Sequence, residues 1–119
     1  MLLRNGVSAE GERILSGETV RMLTTRQHDD LLDETFGVVM VRGLGFLSTA
    51  SGTVLRFPTG YGRAVSHLTF GHGGKESSTG FADPERGLAV ALVFNGMPGE
   101  PKHDRRLKQV LGAVYEAVG

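Results

Sequence analysis

The 119-residue chain contains no cysteine. That excludes a disulfide framework and thiolate metal ligands, and it fits a reducing compartment. Net charge is also lacking: 13 basic and 13 acidic residues cancel, which leaves no long-range field to attract nucleic acid or an anionic membrane. Neither partner is expected. The apolar runs fall far short of the about 18 residues that a spanning helix needs, and Met1-Leu2-Leu3-Arg4 opens no signal-peptide core. A soluble, cytoplasmic protein is the expectation. The length allows one domain, residues 1–119, with a modest core, because small domains bury a lower fraction of their surface than large ones.

Several familiar catalytic patterns are missing as well. Gly74-Lys75 hints at a phosphate loop, but that pattern requires glycine where Thr69 stands and serine or threonine where Glu76 stands. Nucleotide binding is excluded. His67 and His72 lie five apart, off the i, i+4 spacing of a helical ligand pair, and no cysteine assists them or His28 and His103. No metal or other cofactor is expected. There is no Gly-x-Ser-x-Gly elbow, which removes an independent α/β-hydrolase triad.

What remains organises the chain into short elements. Ser16 is placed to cap a helix running to about Thr25, with Glu18 in its positive first turn and Leu15 positioned to staple against Val20. Gln27 to Glu34 is acidic and reads as a surface loop. Phe36 to Leu47 is β-branched and punctuated by glycine, which predicts a strand bent around Gly43 and Gly45. Gly52 to Arg63, with Pro58, Gly60 and Gly62, reads as an irregular connection, followed by a strand from about Leu68 to Gly71. Ser78 to Asp83 and Leu88 to Asn95 form a hairpin around Pro84-Glu85-Arg86-Gly87, where proline suits the second turn position and Gly87 a positive φ. Leu88 to Phe94 shows no polar alternation, so both faces of that strand should be covered. The last segment predicts a helix capped near Asp104, with Leu107, Val110, Leu111, Val114 and Val118 as its apolar stripe against the sheet. Arg105, Arg106 and Lys108 read as a solvated helix face.

The most informative stretch is Phe70-Gly71-His72-Gly73-Gly74 followed by Phe81-Ala82-Asp83-Pro84-Glu85-Arg86-Gly87. It reads as a glycine-rich turn opening a hairpin, with backbone N–H groups beside one ring nitrogen. His72 is the candidate for chemistry; the plainer reading is a loop histidine donating to a nearby carbonyl. Gly73 and Gly74 let backbone approach a ligand, or simply make a tight turn. Glu76, Ser77 and Ser78 border the same place and read equally as solvated polar residues.

Taken in order, these segments resemble the serine beta-lactamase, penicillin-binding protein and carboxylesterase superfamily, in its class C-like branch. Met1-Leu2-Leu3-Arg4-Asn5-Gly6, Arg13 to Val20 and Met22-Leu23-Thr24-Thr25 look like the segment after that family's helical domain. Gly43-Leu44-Gly45-Phe46 looks like its GLGF strand, and His72-Gly73-Gly74 occupies the place of its third motif, KTG or HxG. The resemblance implies an α/β (α+β) fold: an antiparallel sheet of about three to four strands between a short N-terminal and a C-terminal helix. Such a unit is a partial, transpeptidase-like domain covering the last third of a typical member. The resemblance also gives His72 the place of the family's lysine, and it makes the Lys75 backbone N–H one half of an oxyanion hole. Gly73, Gly74, Glu76 and Ser77 become substrate-binding candidates.

The family's other motifs are not here. Three residues after Ser8, Ser16, Ser48, Ser51, Ser66, Ser77 and Ser78 there is never a lysine, and two residues after Tyr61 and Tyr115 never an asparagine. Without SxxK and YxN there is no nucleophile and no proton relay. The expectation is a C-terminal fragment of a serine hydrolase, the product of a truncated or mis-started gene. It is inert alone and meets an acyl substrate only together with the missing N-terminal half. The competing expectation is a non-catalytic domain that binds a ligand or partner, with an exposed sheet edge that invites self-association.

Overall fold

A computed structural model describes residues 1–28, 30–35, 37–48, 61 and 64–119. A short turn of 3-10 helix (Leu2–Arg4) leads to α1 (Gly17–Thr24), then to the two-residue strands β1 (Leu32–Asp33), β2 (Val38–Val39) and β3 (Leu47–Ser48). Three longer strands follow, β4 (Phe70–Gly74), β5 (Ser78–Asp83) and β6 (Leu88–Val93), before the closing helix α2 (Glu100–Val118). β3, β4, β5 and β6 form one antiparallel sheet in that order, while β1 and β2 form a separate ribbon. The mixed architecture agrees with the expectation of a small antiparallel sheet with a short helix before it and a longer one after it. Among the described residues, no helix is long and apolar enough to cross a membrane.

Local chemistry explains the elements. Ser16 accepts from the Thr19 N–H at 3.0 Å and Glu18 lies in the first turn of α1, as its sequence position predicts. The acidic stretch before residue 35 is not only loop. Asp33 accepts from the Thr35 N–H through its side chain and from the Gly37 N–H through its carbonyl, and this reversal lets Leu32–Asp33 pair with Val38–Val39. The strand expected from Phe36 to Leu47 is likewise two strands. Gly43 N–H donates to Phe46 O, Gly45 takes a φ of 89°, and Arg42 bridges Leu47, so the predicted bend is a full reversal. Phe36, and the connection expected from Gly52 to Arg63 apart from Tyr61, lie outside the described residues.

The hairpin of β5 and β6 follows its predicted turn, with Gly87 at φ 61° and its N–H on Pro84 O. β6 itself departs from expectation. Its residues alternate between half-buried (Leu88, Val90, Leu92) and exposed (Ala89, Ala91, Val93), and Val93 is 85% exposed. An uninterrupted apolar run does not report how many faces are covered, because alanine and valine suit an open face as well as a closed one. α2 also begins earlier than Asp104. Gly99, with φ 92°, is the cap, Pro101 occupies the first turn where its missing N–H costs nothing, and His103 N–H closes onto Gly99 O. Asp104 instead pairs with Lys108 one turn on. The buried stripe is His103, Leu107, Leu111 and Tyr115, so Val118, 56% exposed, lies beyond it.

Tyr61, Phe81, Leu111 and Tyr115 make the centre of the core, with Leu88, Val90 and Leu92 packed against them. α2 therefore covers one face of the sheet. Beneath it lies Asp83, with no exposed surface. Its carboxylate accepts from the Ser66 N–H at 3.0 Å, the Tyr115 hydroxyl at 2.8 Å and Arg86 at 3.3 Å. Burial alone pushes this carboxyl up, but the bonds from Ser66, Tyr115 and Arg86 outweigh it and hold it down at about 2. Burial and the bond to Asp83 push the Tyr115 phenol well above its usual range.

A pH dependence follows from that depression. A carboxyl held below its unfolded value of about 3.9 stabilises fully above that pH and loses its contribution as pH falls toward 2. The urea midpoint of the wild type should fall between those pH values, and Asp83→Asn should show a flatter profile there. At neutral pH the same substitution is expected to cost about 2–3 kcal/mol, and Tyr115→Phe about 1–3 kcal/mol.

Candidate active site

Strand register decides which side chains share the face that α2 leaves open. Thr79, Phe81 and Asp83 are buried on the α2 side, so Ser78, Gly80 and Ala82 belong to the other face. His72 pairs with Gly80, and Gly80 with Ala91, which places one imidazole at the end of a row of two very small residues. The flanking rows are Gly74-Ser78-Val93 and Phe70-Ala82-Ala89. All three residues of the central row are exposed. His72 is therefore the functional group that rises from the middle of this face.

Its chemistry is set by one contact. His72 Nδ1 lies 2.6 Å from Gly73 O, and a carbonyl only accepts, so Nδ1 carries the proton and donates. In the neutral ring this contact leaves the acceptor lone pair on Nε2. The plainer reading of the sequence, a loop histidine donating to a nearby carbonyl, holds for the contact but not for the loop, since His72 lies in β4. That same tautomer is the one a proton-accepting or orienting role requires.

Gly73 and Gly74 are not the turn. Both lie in β4, paired with Thr79 and Ser78, and neither has a positive φ. Gly71 is the glycine the packing requires, since a Cβ there would meet Gly80 O at 2.3 Å and Phe81 Cβ at 2.5 Å. The reversal falls at Lys75, Glu76 and Ser77 instead. Ser77 N–H donates to Gly74 O, Ser77 O accepts from Phe94 N–H at 2.7 Å, and Glu76 takes a left-handed φ of 51°. The site residues expected from the sequence thus fall into two adjoining groups, His72, Gly73 and Gly74 on the strand and Lys75, Glu76 and Ser77 in the turn that ends it.

Edge geometry adds a further point. Because Ser77 O faces β6, alternation turns the peptides of Ser78 and Gly80 toward β4, and those of Gly74 and His72 toward β5. Gly71 and Gly73 point to the opposite edge. Gly71 meets Leu47 there, and Gly73 lies beyond the pairs that β3 makes. A separate groove of about 540 Å³ lies at the other end of β4, among Thr24, Arg26, Ser48, Phe70 and Pro84, and does not include His72. Among the described residues, no group of three acidic, histidine or cysteine side chains is placed to hold a metal ion.

Arg106 is the residue that sequence reasoning missed. Only Arg105 and Lys108 behave as a solvated face; Arg106 donates to Glu76 O at 2.8 Å and lies 4.3 Å over the Phe94 ring. The available signal was its i, i+3 spacing from His103, a pairing that turns it toward the buried stripe.

The family model described as Beta-lactamase matches residues 1–115. The chain belongs to the beta-lactamase family. Among curated relatives, it is 34% identical to the esterase/beta-lactamase LipL of Mycobacterium tuberculosis over 93 residues, 78% of this chain and 19% of that one. Among solved structures, a beta-lactamase from Mycobacterium bovis matches at TM-score 0.67 and 25% identity, covering 96% of this chain and 40% of that one. EstA from Arthrobacter nitroguajacolicus matches at TM-score 0.60 and 26% identity, over 93% of this chain and 27% of that one. A penicillin-binding protein homologue from Caulobacter crescentus shares the fold at TM-score 0.64 and 23% identity, over 94% and 29%. The chain spans less than half the length of each of these relatives.

The two faces of the sheet predict opposite responses to one added methyl group. Gly71→Ala drives Cβ into backbone and should cost about 1–3 kcal/mol. Gly80→Ala meets nothing within 4 Å and should be neutral or stabilising by up to about 1 kcal/mol. Urea unfolding of the two variants checks both signs.

Proposed function

We propose that this chain supplies one wall of the acyl-transfer site of a beta-lactamase-related serine hydrolase, acting on a β-lactam, peptide or ester, and that it does not turn over substrate by itself. The observation carrying this reading is His72 alone among Gly80 and Ala91, with Nδ1–H committed to Gly73 O and Nε2 left to accept. On that wall, His72 orients the acyl group or its proton network, and the Lys75 N–H faces the developing oxyanion. Gly73 lends an extended substrate the edge of β4 that β3 leaves unpaired among the described residues, while Gly74, Glu76 and Ser77 set the turn. The nucleophile comes from outside these residues, since no serine in the chain is followed three positions later by lysine. A lone donor is a weak oxyanion hole: loss of one of two donors costs about 3–4 kcal/mol of transition-state stabilisation.

A second reading is favoured by β6. Phe94 N–H faces β5, so by alternation Ala89, Ala91 and Val93 direct their peptides to the edge that no strand among the described residues pairs with, where no charge, proline or bulge blunts β6. We propose a second copy as the occupant, pairing antiparallel about Ala91 so that Ala89 meets Val93 of the other chain and each residue keeps its face. Sedimentation should then show a dimer in the wild type and a shift to monomer in Val93→Lys. A monomer at every concentration, with no difference between the two, would sink the pairing.

The acyl-site reading is tested with purified chain on a chromogenic cephalosporin and a short-chain nitrophenyl ester, with His72→Ala as control. The expected result is no turnover above that control. Turnover abolished by His72→Ala would overturn the incomplete-wall reading, because the chain would then hold its own nucleophile.

A further inference from the structure

The turn bearing Lys75 is held from outside the sheet. Arg106 Nη2 donates to Glu76 O at 2.8 Å and to Gly96 O at 3.0 Å, and Arg106 Nε donates to His103 Nδ1 at 3.1 Å. The guanidinium lies over Phe94, and His103 meets the same ring edge-on at 5.9 Å. Arg106 is thus fixed by a ring, an imidazole and two carbonyls from three different segments.

Peptide geometry carries the effect onward. Glu76 O and Ser77 N–H belong to one planar peptide, and that N–H donates to Gly74 O. Gly74 O and Lys75 N–H belong to the next planar peptide in the chain of bonds. Orienting Glu76 O therefore orients Ser77 N–H, and Ser77 N–H orients the peptide that ends in Lys75 N–H. Aligned hydrogen bonds also polarise one another, so the positive charge on Arg106 strengthens each donor in the series. Glu76 adds a reason for the clamp, because its left-handed φ of 51° is unfavourable for a residue with a side chain unless its surroundings enforce it.

We propose that Arg106 is a positioning residue for the acyl site, setting the direction and donor strength of the Lys75 N–H through the Glu76–Ser77 and Gly74–Lys75 peptides. The proposal rests on the reading of Lys75 N–H as an oxyanion donor, and its test needs no substrate. In isotope-labelled chain, Arg106→Met should move the Ser77 and Lys75 amide resonances. It should also speed Ser77 amide exchange about tenfold, the scale of one lost charge-assisted hydrogen bond. Leu111→Val, a core change on the same helix that does not touch the turn, serves as control and should leave those resonances in place at a comparable loss of melting temperature. Unmoved Ser77 and Lys75 amides in Arg106→Met, or equal movement in Leu111→Val, would overturn the proposal. If Arg106→Met does not fold, Arg106→Lys decides, since it keeps charge and stem but loses the fork; faster Ser77 exchange than wild type upholds the clamp and equal exchange overturns it. Addition of the cephalosporin to wild type then tests the underlying site separately. Unperturbed Lys75 and His72 resonances there would remove the acyl-site reading while the turn measurement stood.

Discussion

A carboxylate without exposed surface loses hydration worth several kcal/mol, and it stays ionised only where hydrogen bonds replace the lost water. Asp83 meets that condition at Oδ2, with donors from three parts of the chain: the Ser66 peptide before β4, Arg86 in the β5–β6 turn and Tyr115 near the end of α2. The segment entering β4, the hairpin and the closing helix are fixed to one oxygen atom. Arg86 also lies 5.0 Å over the Tyr115 ring, so the cation and the phenol that serve Asp83 support each other. With α2 seated in this way, one face of the sheet is covered by the helix, while the other is exposed at His72, Gly80 and Ala91 and closes at Phe70, which is buried against Phe46.

The same helix governs the site from its other end. Tyr115 secures α2 near its C-terminus through Asp83, while His103 and Arg106 secure its first turns against Phe94 and the β4–β5 turn. α2 thus reaches both ends of β5, the strand that pairs with β4 at His72. It sets not only which face is open but also how the backbone is oriented beside the imidazole.

Much of this fold was legible in the sequence where the signal is local. The Ser16 cap, the Pro84 to Gly87 turn and the Leu107–Leu111 stripe each depend on residues within a few positions of one another. Readings failed where a distant partner decides the outcome. Gly73 and Gly74 suggest a turn until Thr79 and Ser78 are known to pair with them, and Leu88 to Val93 suggests two covered faces until β6 is known to be an edge. The helix start at Glu100 was missed because Asp104 is an attractive cap, whereas Gly99 and Pro101 act through conformation rather than through a side-chain bond. The motif order singled out His72 as a candidate. Its tautomer and its isolation among small residues come from register and one carbonyl, which no spacing encodes.

The open face has a consequence for how chemistry and folding are divided in this molecule. The residue at position 72 is exposed and stands in register with Gly80 and Ala91. A different exposed side chain could stand there, whereas a change at Gly71, one residue away, strikes backbone. Exposure and packing constraint thus fall on alternate letters of the same strand, and substitution can revise one without disturbing the other.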